Sequence, residues 1–201
     1  SGIGDGARLM SCAAFGANDN GGFPETYTYA ADNGAVISQN SWGYLDPNVF
    51  EQAVLDAIDY FIAEAGKDES GNQTGPMNGG IVIFAAGNSG SNQNWYPGFY
   101  DATLSVAATT HEDKIAWYSN FGEWVDISAP GGETNSVPQQ GVLSTLTPGA
   151  YGFSQGTSMA CPHVSGTAAL IVSKFGGQGF TPEILRARLV QTTDSIDNLN
   201  P

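Results

Sequence analysis

Residues 156–166 read GTSMACPHVSG, and Ser158 in that run has the setting of a nucleophile. If a helix begins there, its first-turn amides lack intrahelical partners and face incoming negative charge. Gly156 lets another backbone approach closely. Pro162 is expected to fall within the first turn, where a missing N–H costs nothing. The same serine would serve equally as a plain helix cap. A second chemical element lies upstream. The run GIVIFAA (80–86) leads directly into Gly87-Asn88-Ser89-Gly90, so Asn88 sits at the carboxyl end of a strand, where open α/β folds place their ligands. A carboxamide there can donate to the oxyanion of acyl transfer; in isolation it reads as a turn residue. The third element is NSWG (40–43). Ser41 and Gly43 offer backbone groups to an extended peptide, and Trp42 either walls a pocket or fills the core.

A serine needs a base to attack, and the chain holds two histidines. His163 follows Ser158 by five residues, about 500° of rotation and about 7.5 Å of rise on a helix. Its ring therefore points elsewhere. His111, in the polar run TTHEDK, reads as a surface residue.

The elements that must hold these groups alternate between strand and helix. RLMSCAAF (8–15) suits a short buried strand, followed by the loop GANDNGGF (16–23). Pro24 opens a helix that Gly34 ends in a left-handed cap. AVISQNSW (35–42) begins as a buried strand. Asp46 and Pro47 then start a helix whose apolar stripe is Phe50, Ala53, Val54, Ala57, Ile58, Phe61 and Ile62. The polar, Gly-rich run 66–80 reads as an exposed loop. GIVIFAA is apolar without alternation, as in a parallel sheet covered on both faces. LSVAAT (104–109), WVDISA (124–129) and VLST (142–145) are further short strands. Residues 157–175 form a helix apolar nearly all round, hence buried, and stopped by Gly176-Gly177. Thr181-Pro182-Glu183 starts a last amphipathic helix carrying Ile184, Leu185 and Leu189. This order predicts one α/β domain over 1–201 with a mostly parallel sheet between helical layers.

Composition narrows the partners. The chain has 201 residues, with 41 % hydrophobic and 11 % aromatic, enough for a packed core. Twenty acidic against six basic side chains give a net charge of −14, which repels nucleic acid and anionic lipid. No apolar run approaches the roughly 20 residues of a membrane span, so membrane insertion is not expected. Cys12 and Cys161 form no CxxC pattern and are expected as two buried free thiols. AAGNSGS is a Gly-rich turn after a strand, but the chain has neither GxGxxG nor GxxxxGK[ST], which argues against a nucleotide site.

GTSMACPHVSG resembles the nucleophile signature GTSMA-x-PHV-x-G of subtilisin-like serine proteases, the subtilases. IVIFAAGNSGS (81–91) is similar to the family's strand and oxyanion asparagine, and NSWG to its substrate-binding strand. YPGFYDATLSVAAT (96–109) is similar to the segment around its cis-proline, and NFGEWVDISAPG (120–131) to a further strand and turn. The resemblance implies a subtilisin-like α/β/α fold, incomplete because its N-terminal strands and helix are absent. It implies a serine endopeptidase in which Ser158 is the nucleophile and Asn88 the oxyanion donor, joined by the Ser158 N–H. Ser41, Trp42 and Gly43 would pair with the substrate, Ala85, Ala86 and Gly87 would wall the specificity pocket, and Tyr96-Pro97 would be cis.

The family's D-[TS]-G and HGTHVAG segments, which carry the acid and the base, do not occur here. The expectation is thus a catalytic-domain fragment, inactive alone, whose partners are a polypeptide substrate and the remainder of its own domain. The alternative is a pseudoprotease or binding module that keeps the surface without the chemistry. Exposed sheet edges in such a fragment invite self-association. Secretion or attachment to the cell envelope is implied by the family alone. No cofactor or metal is called for, although the resemblance leaves room for a weak monovalent cation near Gly98, Tyr100, Thr103 and Asp126. Trp42 stands where a smaller aliphatic residue is common, the 66–80 loop is longer than in compact relatives, and Cys161 replaces a common serine or alanine.

Overall fold

The computed structural model describes residues 2–15 and 22–196. A four-stranded parallel sheet forms its centre, in the order β1-β2-β3-β4. The strands are β1 (Ile37–Asn40), β2 (Ile81–Ala85), β3 (Leu104–Thr109) and β4 (Ile127–Pro130). Every residue of β2 and β3 is buried, which is why their sequences show no polar alternation. In β2, Ile81, Ile83 and Ala85 enter one core cluster while Val82 and Phe84 enter the other. The period of two thus survives as a choice between two apolar layers.

One layer is α1 (Phe23–Asp32) with α2 (Gln52–Glu64); Tyr27, Ala31, Val54, Ile58 and Phe61 pack on Val82 and Phe84. The other is α3 (Thr157–Phe175) with α4 (Pro182–Gln191); Ala160, Cys161, Val164, Ala168 and Leu185 meet Ile83, Leu104 and Val106. The arrangement is the expected α/β/α sandwich with a mostly parallel sheet. A separate antiparallel hairpin pairs β5 (Val142–Leu146) with β6 (Ala150–Ser154).

Caps behave as the residues predict. Thr181 Oγ1 accepts from Ile184 N at 3.4 Å to open α4, and Gly34 adopts φ +89° just after α1. Several expectations are corrected. Residues 8–15 form no strand: Leu9 is 94 % exposed, because no described strand presents backbone groups to this segment. Cys12 within it is exposed, and only Cys161 is buried. The loop 16–21 lies outside the described residues. The helix expected from Asp46 starts at Gln52, capped at Glu51. Asn48 at φ +62° interrupts it, with its N–H donated to Asn94 O at 2.8 Å.

The run 66–80 is not wholly exposed. Met77 is fully buried, and Gln73 Nε2 donates to Gly177 O at 2.8 Å. The segment folds back because its glycines permit close backbone crossings. Helix α3 is buried on one stripe only, with Leu170 and Phe175 exposed, since the sheet covers a single face.

Candidate active site

Strands β1 and β2 end in the loops that build a cleft of about 180 Å³. Ser41, Trp42 and Gly43 follow β1, Ala85 to Asn88 close β2, and Ser158 lies in the first turn of α3; all line this one cleft. The structure therefore brings all eight sequence-selected residues together. Tyr44, Trp95, Tyr96 and Thr157 complete the lining, and none of the lining side chains is charged.

Gly156 caps α3 at φ +143°, a left-handed conformation that disfavours any side chain. Of the amides that follow, Thr157 N donates to Asn88 Oδ1 at 2.8 Å, while Met159 N and Ala160 N donate to Gly156 O. The Ser158 N–H is the one left for a ligand. Thr157 Oγ1 also donates to Asn88 Oδ1 at 2.9 Å and accepts from Gly87 N at 3.1 Å. With its oxygen held twice, the Asn88 carboxamide keeps its NH2 as a donor. Gly87 at φ +104° makes the turn possible; a Cβ there would sit 2.4 Å from Asn120 Nδ2.

Pro162 is the sixth residue of α3 rather than part of its first turn, which corrects the sequence expectation. Its absent N–H would have bonded the carbonyl of Ser158, four residues back. That carbonyl instead accepts from Ser41 Oγ at 2.9 Å. Ser41 in turn accepts from Gln39 Nε2 at 2.7 Å. The proline thus frees an oxygen through which β1's loop grips the serine residue.

Trp42 does both things that its position allowed. Its indole stacks on Phe23 at 4.0 Å, meets Phe84 edge-on, and still lines the cleft. Tyr96-Pro97 is cis. Cys161 lies beneath the cleft, its Sγ 3.5 Å from Asn40 O, and burial pushes its thiol up from the ordinary value.

No imidazole reaches Ser158. His163 Nδ1 donates to Met159 O at 2.7 Å, and His163 and His111 line a different cleft of about 280 Å³. Asp126, named above for a weak cation site, is engaged by protein groups. Asp126 Oδ2 accepts from Ser105 N at 2.8 Å and its Oδ1 pairs with Arg186. Arg186 Nη1 also donates to Thr103 O at 3.0 Å, so the positive charge beside Asp126 is a guanidinium. Among the described residues, no three His, Cys, Asp or Glu side chains gather as a metal site.

The subtilase family matches residues 1–200. This chain belongs to the subtilase family. It is 32 % identical over 199 residues to a thermophilic serine proteinase of Bacillus sp. (strain AK1), covering 98 % of this chain and 42 % of that protein. It is 41 % identical over 130 residues to an extracellular basic protease of Dichelobacter nodosus, covering 59 % of this chain and 20 % of that one. Among solved structures, a protease from Pseudoalteromonas arctica PAMC 21717 superposes with a TM-score of 0.69 at 30 % identity, covering 86 % of this chain and 51 % of that one. The subtilase chain thus spans about half, or less, of the length of these proteins.

Sequence reasoning missed the groups that brace this subtilase site. Thr157 was visible inside the signature run, but its bond to Asn88 crosses 69 positions and leaves no periodic trace. Tyr118 and Asn120, which hold the loop and the helix start, lie in IAWYSNF (115–121), outside every helix and strand.

Proposed function

We propose that this chain supplies the nucleophile and oxyanion half of a secreted serine endopeptidase that cleaves peptide bonds through an acyl-enzyme. One observation carries the reading: the Ser158 residue, its unbonded N–H and the Asn88 carboxamide face the same uncharged cleft beside Ser41–Gly43. A substrate strand pairs along Ser41–Gly43, and an uncharged acyl-side side chain enters between Trp42 and Ala85–Gly87.

The chemistry follows from those positions. Ser158 Oγ bonds to the scissile carbonyl carbon while its proton passes to an imidazole. The carbonyl π electrons move to oxygen, where Ser158 N–H and Asn88 Nδ2 hold the charge. Collapse breaks the C–N bond, and the amine leaves with the proton. Water then repeats the addition, freeing the acid and restoring the serine. The imidazole and its orienting carboxylate come from the remainder of the catalytic domain, outside these 201 residues. That remainder is the partner we assign to β1's outer edge and to the unpaired segment 8–15. These 201 residues alone are then inactive, and their open edges favour self-association. The word "extracellular" in the name of the Dichelobacter relative supports secretion.

The test is made on the natural protein carrying this chain. Fluorophosphonate labels the wild type and not Ser158→Ala, and Ser158→Ala abolishes peptide hydrolysis. Asn88→Ala lowers kcat by about 10²–10³ with KM little changed, a range measured on subtilisin itself and not deduced from this geometry. A second reading, a non-catalytic module, draws on the placement of both histidines in the other cleft. Absence of labelling in the natural protein selects it.

A further inference from the structure

The two halves of the cleft come from distant parts of the chain, and one short segment holds both. Tyr118, Ser119 and Asn120 are all buried, with Asn120 fully so. Asn120 Oδ1 accepts from Ser89 N at 2.9 Å and from Ser91 N at 3.2 Å. Its Nδ2 donates to Ala86 O at 2.8 Å, and its backbone N–H donates to Gly87 O at 2.9 Å. Gly90 N donates to Tyr118 O at 2.8 Å, and Phe121 N to Ser91 O at 3.1 Å. The turn that bears Asn88 is therefore saturated from one side, and its inward amides are used up on Asn120. Asn88 is left facing Thr157 and the cleft.

The same segment reaches the serine helix. The Tyr118 hydroxyl accepts from Gly156 N at 3.0 Å and donates to Gly132 O at 2.6 Å. Ser119 Oγ accepts from Ala108 N at 2.9 Å and donates to Asn120 O at 3.0 Å, which anchors the segment to β3. One rigid strand thus supports a brace with an arm to each half of the site.

We propose that Tyr118 and Asn120 are positioning residues that set the separation between the Ser158 residue and the Asn88 carboxamide. The proposal rests on the acyl-transfer reading above. Removing the Asn120 side chain takes the acceptor from the part-buried Ser89 and Ser91 amides. Such groups are costly to leave unpaired, so the turn reorganises and Asn88 loses its aim. Removing the Tyr118 hydroxyl frees the helix start, which retains a weaker hold through Gly156 N to Gly131 O at 3.1 Å. Since neither side chain lines the cleft, substrate binding is spared and the transition state is not.

The experiment uses the natural protease with active sites counted by titration. Asn120→Ala is expected to lower kcat about 10- to 100-fold and Tyr118→Phe about 3- to 10-fold, each with KM within about twofold. Asn120→Ser, which keeps one acceptor, falls between wild type and Asn120→Ala. Because Asn120 acts through Asn88, the double variant Asn88→Ala/Asn120→Ala is no slower than Asn88→Ala alone, within about twofold. Unchanged kcat per titrated site, or fully multiplicative losses in the double variant, overturns the proposal. Hydrogen exchange provides a readout that needs no turnover. Asn120→Ala speeds exchange at the Ser89 and Ser91 amides and leaves Ile83–Ala85 protected; equal protection at 89 and 91 in both proteins also overturns the proposal. If Asn120→Ala does not fold, Tyr118→Phe and Asn120→Ser carry the kinetic comparison. A wild type without peptidase activity sinks the acyl-transfer reading and the catalytic role with it, while exchange still decides the brace.

Discussion

Strand β2 and the segment 8–15 start from similar material and end differently. IVIFA and LMSCAAF are both short apolar runs. The first is buried at every residue and pairs with β1 on one side and β3 on the other. The second pairs with no strand and is exposed along most of its length. Hydrophobic content does not separate the two. What separates them is whether neighbouring strands accept the backbone groups, because an N–H or C=O without a partner keeps to water and carries its side chains with it. β2 has neighbours on both edges and helices on both faces; residues 8–15 have neither among the described residues.

Substitutions should expose that difference. Phe84→Ala removes a fully buried ring from between the sheet and α2, and is expected to cost about 3–5 kcal/mol in urea unfolding. A loss below about 1 kcal/mol would mean that this layer is loosely packed. The two thiols compare the same regions by reactivity. Cys12 is exposed, whereas Cys161 is buried beneath β1 and β2, with its ionisation opposed by burial. Ellman's reagent should modify one thiol at once and the other slower by a factor on the order of 10³, at the rate of opening. Equal rates would contradict the packing of α3 on the sheet.

Alkali should act on the packed region alone. Burial is the main cause that raises the Tyr118 phenol to about 12, aided by the charge of Glu133 and opposed by the Gly156 N–H. The folded state thus holds this proton more tightly than the unfolded chain. Its contribution to stability is whole below pH 10, the phenol's ordinary value, and drains as pH rises toward about 12. Urea midpoints measured from pH 9 to 12 should fall accordingly, and fall less steeply in Tyr118→Phe. Tyr27, Tyr44 and Tyr100, also raised chiefly by burial, and Tyr60, raised chiefly by its hydrogen bond to Asp32, add to the remaining slope. The smallest effect belongs to the exposed segment. Leu9→Ala is expected to change stability by less than about 0.5 kcal/mol, and a larger loss would reveal packing at that end.

The legible parts of the molecule are those where local pattern and tertiary role coincide. β2 announced itself by an unbroken apolar run, β3 by a short, mostly apolar one, α4 by Thr181 and Pro182, and the end of β2 and start of α3 by Asn88 and Ser158. The start of α2 was misread because Asp46-Pro47 is a sound opening that the left-handed Asn48 overrides. Strand β6, AYGFS, was missed because glycines at 149 and 152 hide its alternation. At the site, the residues that face the cleft were readable from their positions at element ends. The bonds that aim them were not, since Thr157 with Asn88 and Asn120 with Ser89 are encounters between distant loops.

A helix ordinarily shields its main-chain oxygens from everything but its own next turn. Pro162 leaves one such shield off, at Ser158, and Ser41 occupies the opening. On the acyl-transfer reading proposed above, the groove floor and the attacking group are thereby harnessed together, so a peptide that draws on the floor also tugs the serine. Recognition and reactivity share a single tether, and slack in one is felt in the other.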